Sequence, residues 1–521
     1  MEINLIKESC LNGKCIYDCI NDDTHERIIE KDSLKQILET LHLNSKLRPH
    51  YPCVVKLVNV SLHQNFNTSV TDFEAYSDAE TIEILTTLCL LPDVCYPLKL
   101  QHDSTDNEEF ETNHKLNPKL SYQCLLCCKT ILFERKVDSE SILKYQKRLL
   151  KKVAPYLVLL ISSRLGNFSW CTNELTKECN EILQFICKVT KHETVKSLFA
   201  GDVENSNVLF PRGIFGFALE KLSLVFTKDN WRKNLPWKHS LIWCATKVSF
   251  PCLGEYLPHF IPFLLLMVDD LVEDNKICGF STLLYVMHNV TASDLNLYNY
   301  GKVIYDALFQ QLFSNSDRLY EIVLPCLNKV LQILEKGNIV HPNWTLWDTT
   351  LEKIIHNLEF SNRIKTRRLF LKYLPMFLNE MGANCMKHLE SLFKALQFVA
   401  QFVDIEGEQT RLLVLNAYQK VIRHCWIALK RHHKQLLKTH TKLYLDIKFS
   451  GILKNDKILN ELLTQNLILL RSSCGEEFDK SLKEMTALEM DEPHSKALQS
   501  LIRSVINVDL DKFDLSSIKL T

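Results

Sequence analysis

The stretch that decides the fold is Pro258–Met287, PHFIPFLLLMVDDLVEDNKICGFSTLLYVM. An apolar run carrying Pro262 ends at Asp270, and six residues later Lys276 opens a second apolar run. Both runs repeat their apolar positions at three and four residues, so they read as two helices joined by a short acidic turn. The carboxylates of that turn, Asp269, Asp270, Glu273 and Asp274, are placed to cap the second helix and to favour its positive end.

Working outward, the same device recurs. A short polar turn, a basic residue and a long apolar stripe appear around Lys276, Arg318, Lys365, Arg411, Lys457 and Lys496. The steps are 318−276 = 42, 365−318 = 47, 411−365 = 46, 457−411 = 46 and 496−457 = 39. Helix-pair units of the HEAT and armadillo kind run about 40–47 residues. A helix pair cannot bury its stripe alone, so such units stack, and acidic and basic residues of successive turns can pair along one edge. Prolines at 155, 258, 325 and 375 precede apolar helical runs, and the first helices of HEAT repeats use the bend they cause. The expected fold is all-α, an α-solenoid of HEAT/armadillo-like helix-pair repeats.

Composition agrees. The chain has 13 glycines in 521 residues, about 2.5% against a usual ~7%. Hairpin turns, phosphate-cradling loops and bulges lean on residues that tolerate positive φ, and few are available. Helical patterning is dense from about 118 onward, over 119–134, 138–163, 172–190, 211–227, 236–249 and on to 507. Earlier, 32–43 and 77–91 read as helices, the latter with Ser77 and Glu80 as a capping box. Residues 101–117 are acidic, polar and aperiodic, a candidate flexible loop. A second short loop, 201–209, divides an N-terminal helical region (1–200) from a repeat region (205–521).

The 62 basic and 62 acidic residues cancel, which argues against a dedicated nucleic-acid binder. Nineteen cysteines, an odd number, many within apolar helical stretches and with no signal peptide ahead of them, predict reduced buried thiols in a cytoplasmic or nuclear protein. Val248–Val268 is apolar enough to raise a membrane span, but Pro251, Pro258 and Pro262 would break it, so two short buried helices are expected.

No catalytic signature is present. The sequence lacks G-x-G, a phosphate-loop motif, G-x-S-x-G, H-E-x-x-H and H-R-D. Cys124-Leu-Leu-Cys127-Cys128 has metal-ligand spacing, yet it sits in an apolar helix with no second pair. A buried helix face is the better reading, and neither enzyme activity, cofactor nor metal is expected. The feature left over is the basic run Lys420–Lys448, with eight Lys and Arg, four His and the single acid Asp446. It reads as a solvated face or as a docking surface for an acidic protein segment. Nucleic acid is a third option that the neutral chain and missing aromatic series hold down. The candidate partner-binding residues are Trp426, Lys430, Arg431, His432, His433, Lys434 and Lys438.

Four blocks carry a resemblance. LFPRGIFGFALEKL (209–222), PHFIPFLLLMVDDLVEDNKICGFSTLLYVM (258–287), DLNLYNYGKVIYDALFQQLFS (294–314) and YLPMFLNEMGANCMKHLESLF (373–393) resemble the Tti-two family. That family is a subunit of the Triple-T assembly, with Tel-two and Tti-one. The resemblance covers roughly 205–450 and implies a non-enzymatic co-chaperone adaptor. It would support maturation of phosphatidylinositol-kinase-related kinases with the heat-shock-ninety system, and thereby DNA-damage signalling. The family has no catalytic residues to carry over. The alternative reading is a HEAT-repeat protein of nuclear transport or nucleic-acid association.

Overall fold

The computed structural model describes residues 78–94, 117–133, 139–166, 171–202, 207–224, 226–228, 231–233, 235–335, 343–402, 409–449, 456–486 and 491–508. All regular structure among them is helical. The chain falls into two compact units, one of residues up to Met267 with His288–Val290, the other of Val268–Met287 with Thr291 onward. The helix expected over 32–43 and nearly all of the acidic stretch 101–117 lie outside the described residues, as does Ser77 of the expected capping box.

The first unit is organised by its longest helix. Helices α1 (Asp78–Val94), α2 (Asn117–Phe133), α3 (Ser139–Ser162), α4 (Asn173–Thr190), α5 (Val195–Ala200), α6 (Phe215–Ser223), α7 (Leu235–Ala245) and α8 (Leu257–Val268) follow in order. α3 packs against α1, α4, α6 and α7, because Leu149, Leu150, Val153, Ala154, Leu157, Val158 and Ile161 make most of its length apolar and fully buried. α4 starts at the Thr172 hydroxyl, which accepts from Leu175 N, and stops at Lys191 in the left-handed region. Two of the few glycines stand in the next turns. Gly201 and Gly213 have φ of 93° and 74°, and a Cβ on Gly213 would lie 2.1 Å from the Phe199 carbonyl oxygen. The two segments touch backbone to backbone, Ile214 N donating to Leu198 O at 2.9 Å, so only glycine fits. The apolar run 248–268 divides, as its prolines require, into a 3-10 turn at Cys252–Tyr256 and α8.

The second unit is a run of helix pairs. It opens with α9 (Glu273–His288) and the short α10 (Ala292–Leu297). The pairs α11 (Tyr300–Gln311) with α12 (Asp317–Leu334), α13 (Leu346–Phe360) with α14 (Ile364–Met381) and α15 (Leu389–Ala400) with α16 (Gln409–His424) follow. Then come α17 (His433–Phe449) with α18 (Asp456–Cys474) and α19 (Glu476–Thr486) with α20 (Glu492–Ile506). Each of the six basic residues that set the period stands within the first five residues of α9, α12, α14, α16, α18 or α20. The second helices stack in sequence, α12 on α14, α14 on α16 and α16 on α18. The seam is apolar: Phe370, Leu371, Leu374, Phe377, Leu378 and Met381 of α14 are fully buried, each contributing roughly 1.5–3 kcal/mol. This is the α-solenoid of HEAT/armadillo-like pairs.

Two expectations about its detail need correction. Within this unit the interior prolines, Pro325 and Pro375, lie inside the second helices α12 and α14, not the first ones. Nor do the recurring basic residues form a uniform ladder. Arg318 pairs with Asp274 at 2.9 Å, Lys276 donates to Gln311, Lys496 pairs with Glu492 of its own helix, and Arg411 is buried with Nε on Ala400 O. The turns interlock by other means. Ser316 caps α12 and donates to Glu273 at 2.7 Å, while Arg363 and Thr366 reach back to Asp317 at 2.9 and 2.5 Å. Two carboxylates of the acidic turn, Glu273 and Asp274, thus hold the start of α12, the second helix of the next pair.

The opposite turns lock through one carboxylate. Asp348 has no exposed surface; it completes the capping box of α13 with Thr345 and takes hydrogen bonds from Lys387 at 3.0 Å and from His388 at 2.8 Å. Burial alone would raise its pKa, but those three partners outweigh it and hold the carboxyl below its usual range. Removing one partner of a buried set costs far more than removing an exposed pair. Asp348→Ala is therefore expected to cost about 3–5 kcal/mol, and Arg318→Ala, with its exposed partner Asp274, under about 1 kcal/mol. Urea unfolding of the two variants measures both; equal costs would show that the Asp348 set does not lock the turns.

Candidate interaction surface

In the basic run, α16 ends at His424, a 3-10 turn spans Trp426–Arg431, and α17 carries the chain to Phe449. This turn is the link between two pairs, so its residues stand at the N-terminal ends of the first helices. Trp426 and Ile427 project from it, 57% and 65% exposed, beside the exposed Lys430 and Arg431. Lys434, Lys438 and Lys442 follow at four-residue spacing and are all exposed, so they form one row along α17. Lys434 has Glu484 of α19 at 3.6 Å.

The histidines of the run belong elsewhere. His433 is buried, its Nδ1 donating to Lys430 O at 2.6 Å and its Nε2 3.1 Å from Ser481 Oγ. His432 packs its ring against Phe393, centroids 5.4 Å apart. His424 bonds Asn379 at 3.1 Å, and His440 is 1% exposed. The structure thus brings Trp426, Lys430, Arg431, Lys434 and Lys438 to the surface and turns His433 inward, where it ties α17 to α19. Helical periodicity separates these roles. His433, His440 and Leu436–Leu437 share the buried face, His440 against α18 and His433 against α19, and the lysines take the other.

Among the described residues no group of three or more His, Cys, Asp and Glu is placed to hold a metal ion. Cys124, Cys127 and Cys128 are all fully buried in α2, and burial, with Cys128 adding, pushes the Cys127 thiol well above its usual range. No described helix is long and apolar enough to cross a membrane.

With this geometry in hand, residues 218–399 match the model of the Tti2 family. This segment carries the likeness to that family. It contains three of the four blocks that carried the resemblance whole, and the end of the first. TELO2-interacting protein 2 of Rattus norvegicus is 28% identical over 358 residues, 67% of this chain and 68% of the rat protein. The Homo sapiens protein of that name is 28% identical over 314 residues, 59% of this chain and 61% of its own. Among solved structures, the karyopherin Kap121p overlays 94% of this chain on 46% of its own at 14% identity, with a TM-score of 0.41, too loose to bear on function. The Tti2 segment ends before Trp426, so the basic row lies outside it.

Sequence reasoning missed a second surface at the other end of the first helices. Phe313 and Phe360, 59% and 61% exposed, follow α11 and close α13. The signal was available as Phe313-Ser314-Asn315 and Phe360-Ser361-Asn362, one motif at a step of 360−313 = 47.

His440 gives the surface's supporting core a pH dependence. Its Nδ1 donates to Leu436 O at 2.8 Å and its Nε2 faces the Asn466 amide at 3.5 Å, an arrangement suited to the neutral ring. Burial lowers its pKa from 6.5 to about 4. Because the folded pKa is depressed, the unfolded chain takes up the proton first as pH falls below 6.5. The stability is therefore complete above that pH and is lost on the way down to about 4. The loss at pH 5 is about 2 kcal/mol. Half-buried His239, lowered to about 3 in the first unit by desolvation and by Lys238 beside it, adds with the same sign. His440→Leu should be less stable at pH 7.5 and show a shallower loss between pH 7 and 5 by urea unfolding. An unchanged slope would show that His440 does not carry it.

Proposed function

We propose that this chain is a non-catalytic scaffold subunit of a three-protein co-chaperone assembly, holding a Tel-two-like and a Tti-one-like protein. The observation that carries the reading is the relatives' printed name. A protein named for interacting with TELO2 aligns with this chain over 358 residues, two-thirds of its length. The architecture supports it in kind. A stack of helix pairs presents two rows of turns and a long face, a surface suited to large helical partners. In the same reading the assembly serves newly made phosphatidylinositol-kinase-related kinases with the heat-shock-ninety system, in cytoplasm and nucleus.

Within it, the Trp426 turn and the α17 lysine row dock an acidic segment of a partner. Exposed Trp and Ile supply apolar anchorage, and Lys430, Arg431, Lys434 and Lys438 supply attraction that speeds and orients encounter. Mutual repulsion along the lysine row, where among the described residues Lys434 alone has a carboxylate partner, Glu484 at 3.6 Å, is relieved when further carboxylates arrive.

Affinity-tagged full-length chain, recovered from its own cells and read by mass spectrometry, should bring down both partners in near-equal amounts. The triple variant Lys430→Glu, Arg431→Glu, Lys434→Glu should lose one of them about tenfold while its circular dichroism stays unchanged. Recovery of the chain without either partner sinks the assembly reading. Undiminished recovery by the variant shows that the row is only solvated.

A further inference from the structure

The second row of turns holds a groove of about 500 Å³ between the end of α11 and the α13–α14 turn. Its rims are the exposed rings of Phe313 and Phe360, and Tyr320 lies deeper. The charged side chains lining it are Lys353, His356 and Arg363, and no aspartate or glutamate lines it. Arg363 is already engaged by Asp317 at 2.9 Å, and Asp317 takes Thr366 as well. Glu359, on the same helix as Lys353, is paired with Lys394 at 2.9 Å.

Lys353 is different. Its ammonium stands 3.9 Å from the centre of the Phe313 ring, and among the described residues no carboxylate is paired with it. Burial depresses its pKa, and no opposing charge offsets that effect. The cation is partly stripped of water, held on an aromatic face and open to the groove. His356, one turn before Phe360 on the same helix, has its ring tilted against the Phe360 ring, centroids 4.7 Å apart. A partly desolvated ammonium on one exposed ring, in a groove rimmed by a second, calls for an anion with an apolar neighbour, since a carboxylate would restore the lost solvation and an apolar side chain would cover the rings.

We propose that this groove is a docking site for a protein segment carrying an aspartate or glutamate beside a bulky apolar residue. The carboxylate pairs with Lys353, and the apolar side chain lies between Phe313 and Phe360. The size suits a few residues of peptide, within the ~300–1,000 Å³ usual for ligand clefts. A nucleic acid fits less well. It needs a track of free cations, whereas one of the two permanent cations here is neutralised by Asp317. The proposal goes beyond the assembly role, since it names a surface and a ligand chemistry that hold whichever protein supplies the segment.

A random dodecapeptide library, panned on the full-length chain and counter-selected on Lys353→Glu, tests it. Enriched peptides should carry an acid within two residues of Phe, Tyr, Trp or Leu. By fluorescence anisotropy they should bind Lys353→Glu and Phe313→Ser at least about tenfold more weakly than the parent. Lys353→Arg should stay within about threefold, because it keeps the charge over the ring. Lys434→Glu, on the other row of turns, should bind as the parent does. Unchanged thermal midpoints show that Lys353→Glu and Phe313→Ser are folded, and the partly exposed Lys353 carries the test if the Phe313 variant is not. The proposal is overturned if no peptide discriminates the parent from Lys353→Glu, if discriminating peptides lack acids, or if a single-stranded oligonucleotide displaces them. Such a failure leaves the assembly reading standing, because that one turns on co-purification and on the α17 row.

Discussion

No helix pair of the second unit can cover its own apolar stripe, and that constraint organises the rest. α14 buries six large side chains completely, and its neighbours α12 and α16 are what bury them. Stability is therefore a property of the stack, with each interface serving two repeats. The polar groups that enter the seam confirm how tightly it closes. Asn466, with no exposed surface, spans 51 residues to donate to Leu415 O at 3.0 Å, and the Cys326 thiol reaches Phe280 O. Such bonds set the register of one helix on the next, because a slip would bury them unsatisfied.

A stack held along its seam leaves its two rows of turns free to differ. In one row, Asp274 and Asp317 pair with Arg318 and Arg363, while among the described residues no carboxylate is paired with Lys353. In the other, the buried Asp348 gathers Lys387 and His388, and further along the chain the lysines of α17 run almost without counter-charge. A net charge of zero over 521 residues thus conceals a local imbalance. The binding capacity suggested here arises from those residues that the internal ion pairs leave over, in surroundings where the others are matched.

How much was legible follows from the same physics. The period was readable because each second helix needs a polar turn, a start and an apolar stripe, and chain length between such starts is fixed by two helices and two turns. Lys276, Arg318, Lys365, Arg411, Lys457 and Lys496 therefore mark six helix starts correctly. What each does was not readable. Arg411 is interior and Lys365 exposed because rotation about the helix axis by one position exchanges core for solvent, and a basic residue near a start is compatible with both. His432 and His433 show the same limit one residue apart. Phe313 and Phe360 escaped for the opposite reason: an aromatic at the end of an apolar helix reads as core, and only the turn geometry exposes it.

That exposure is itself informative about function. Phe313 and Phe360 leave more than half of their surface to solvent, 59% and 61%, and both line one groove. Phe313 has the Lys353 ammonium on its face and the Phe309 ring edge-on at 6.0 Å, and Phe360 has the His356 ring. A cation–π contact at a partly exposed position is worth only about 0.5–1 kcal/mol. The pair is thus poorly explained as a stabilising device. It is well explained as a preformed site, in which the chain holds charge and ring together in advance and a ligand supplies the missing anion. The same reasoning separates this groove from the α17 row, where lysines stand solvated and no ring confines them. One surface attracts at a distance, and the other selects at contact.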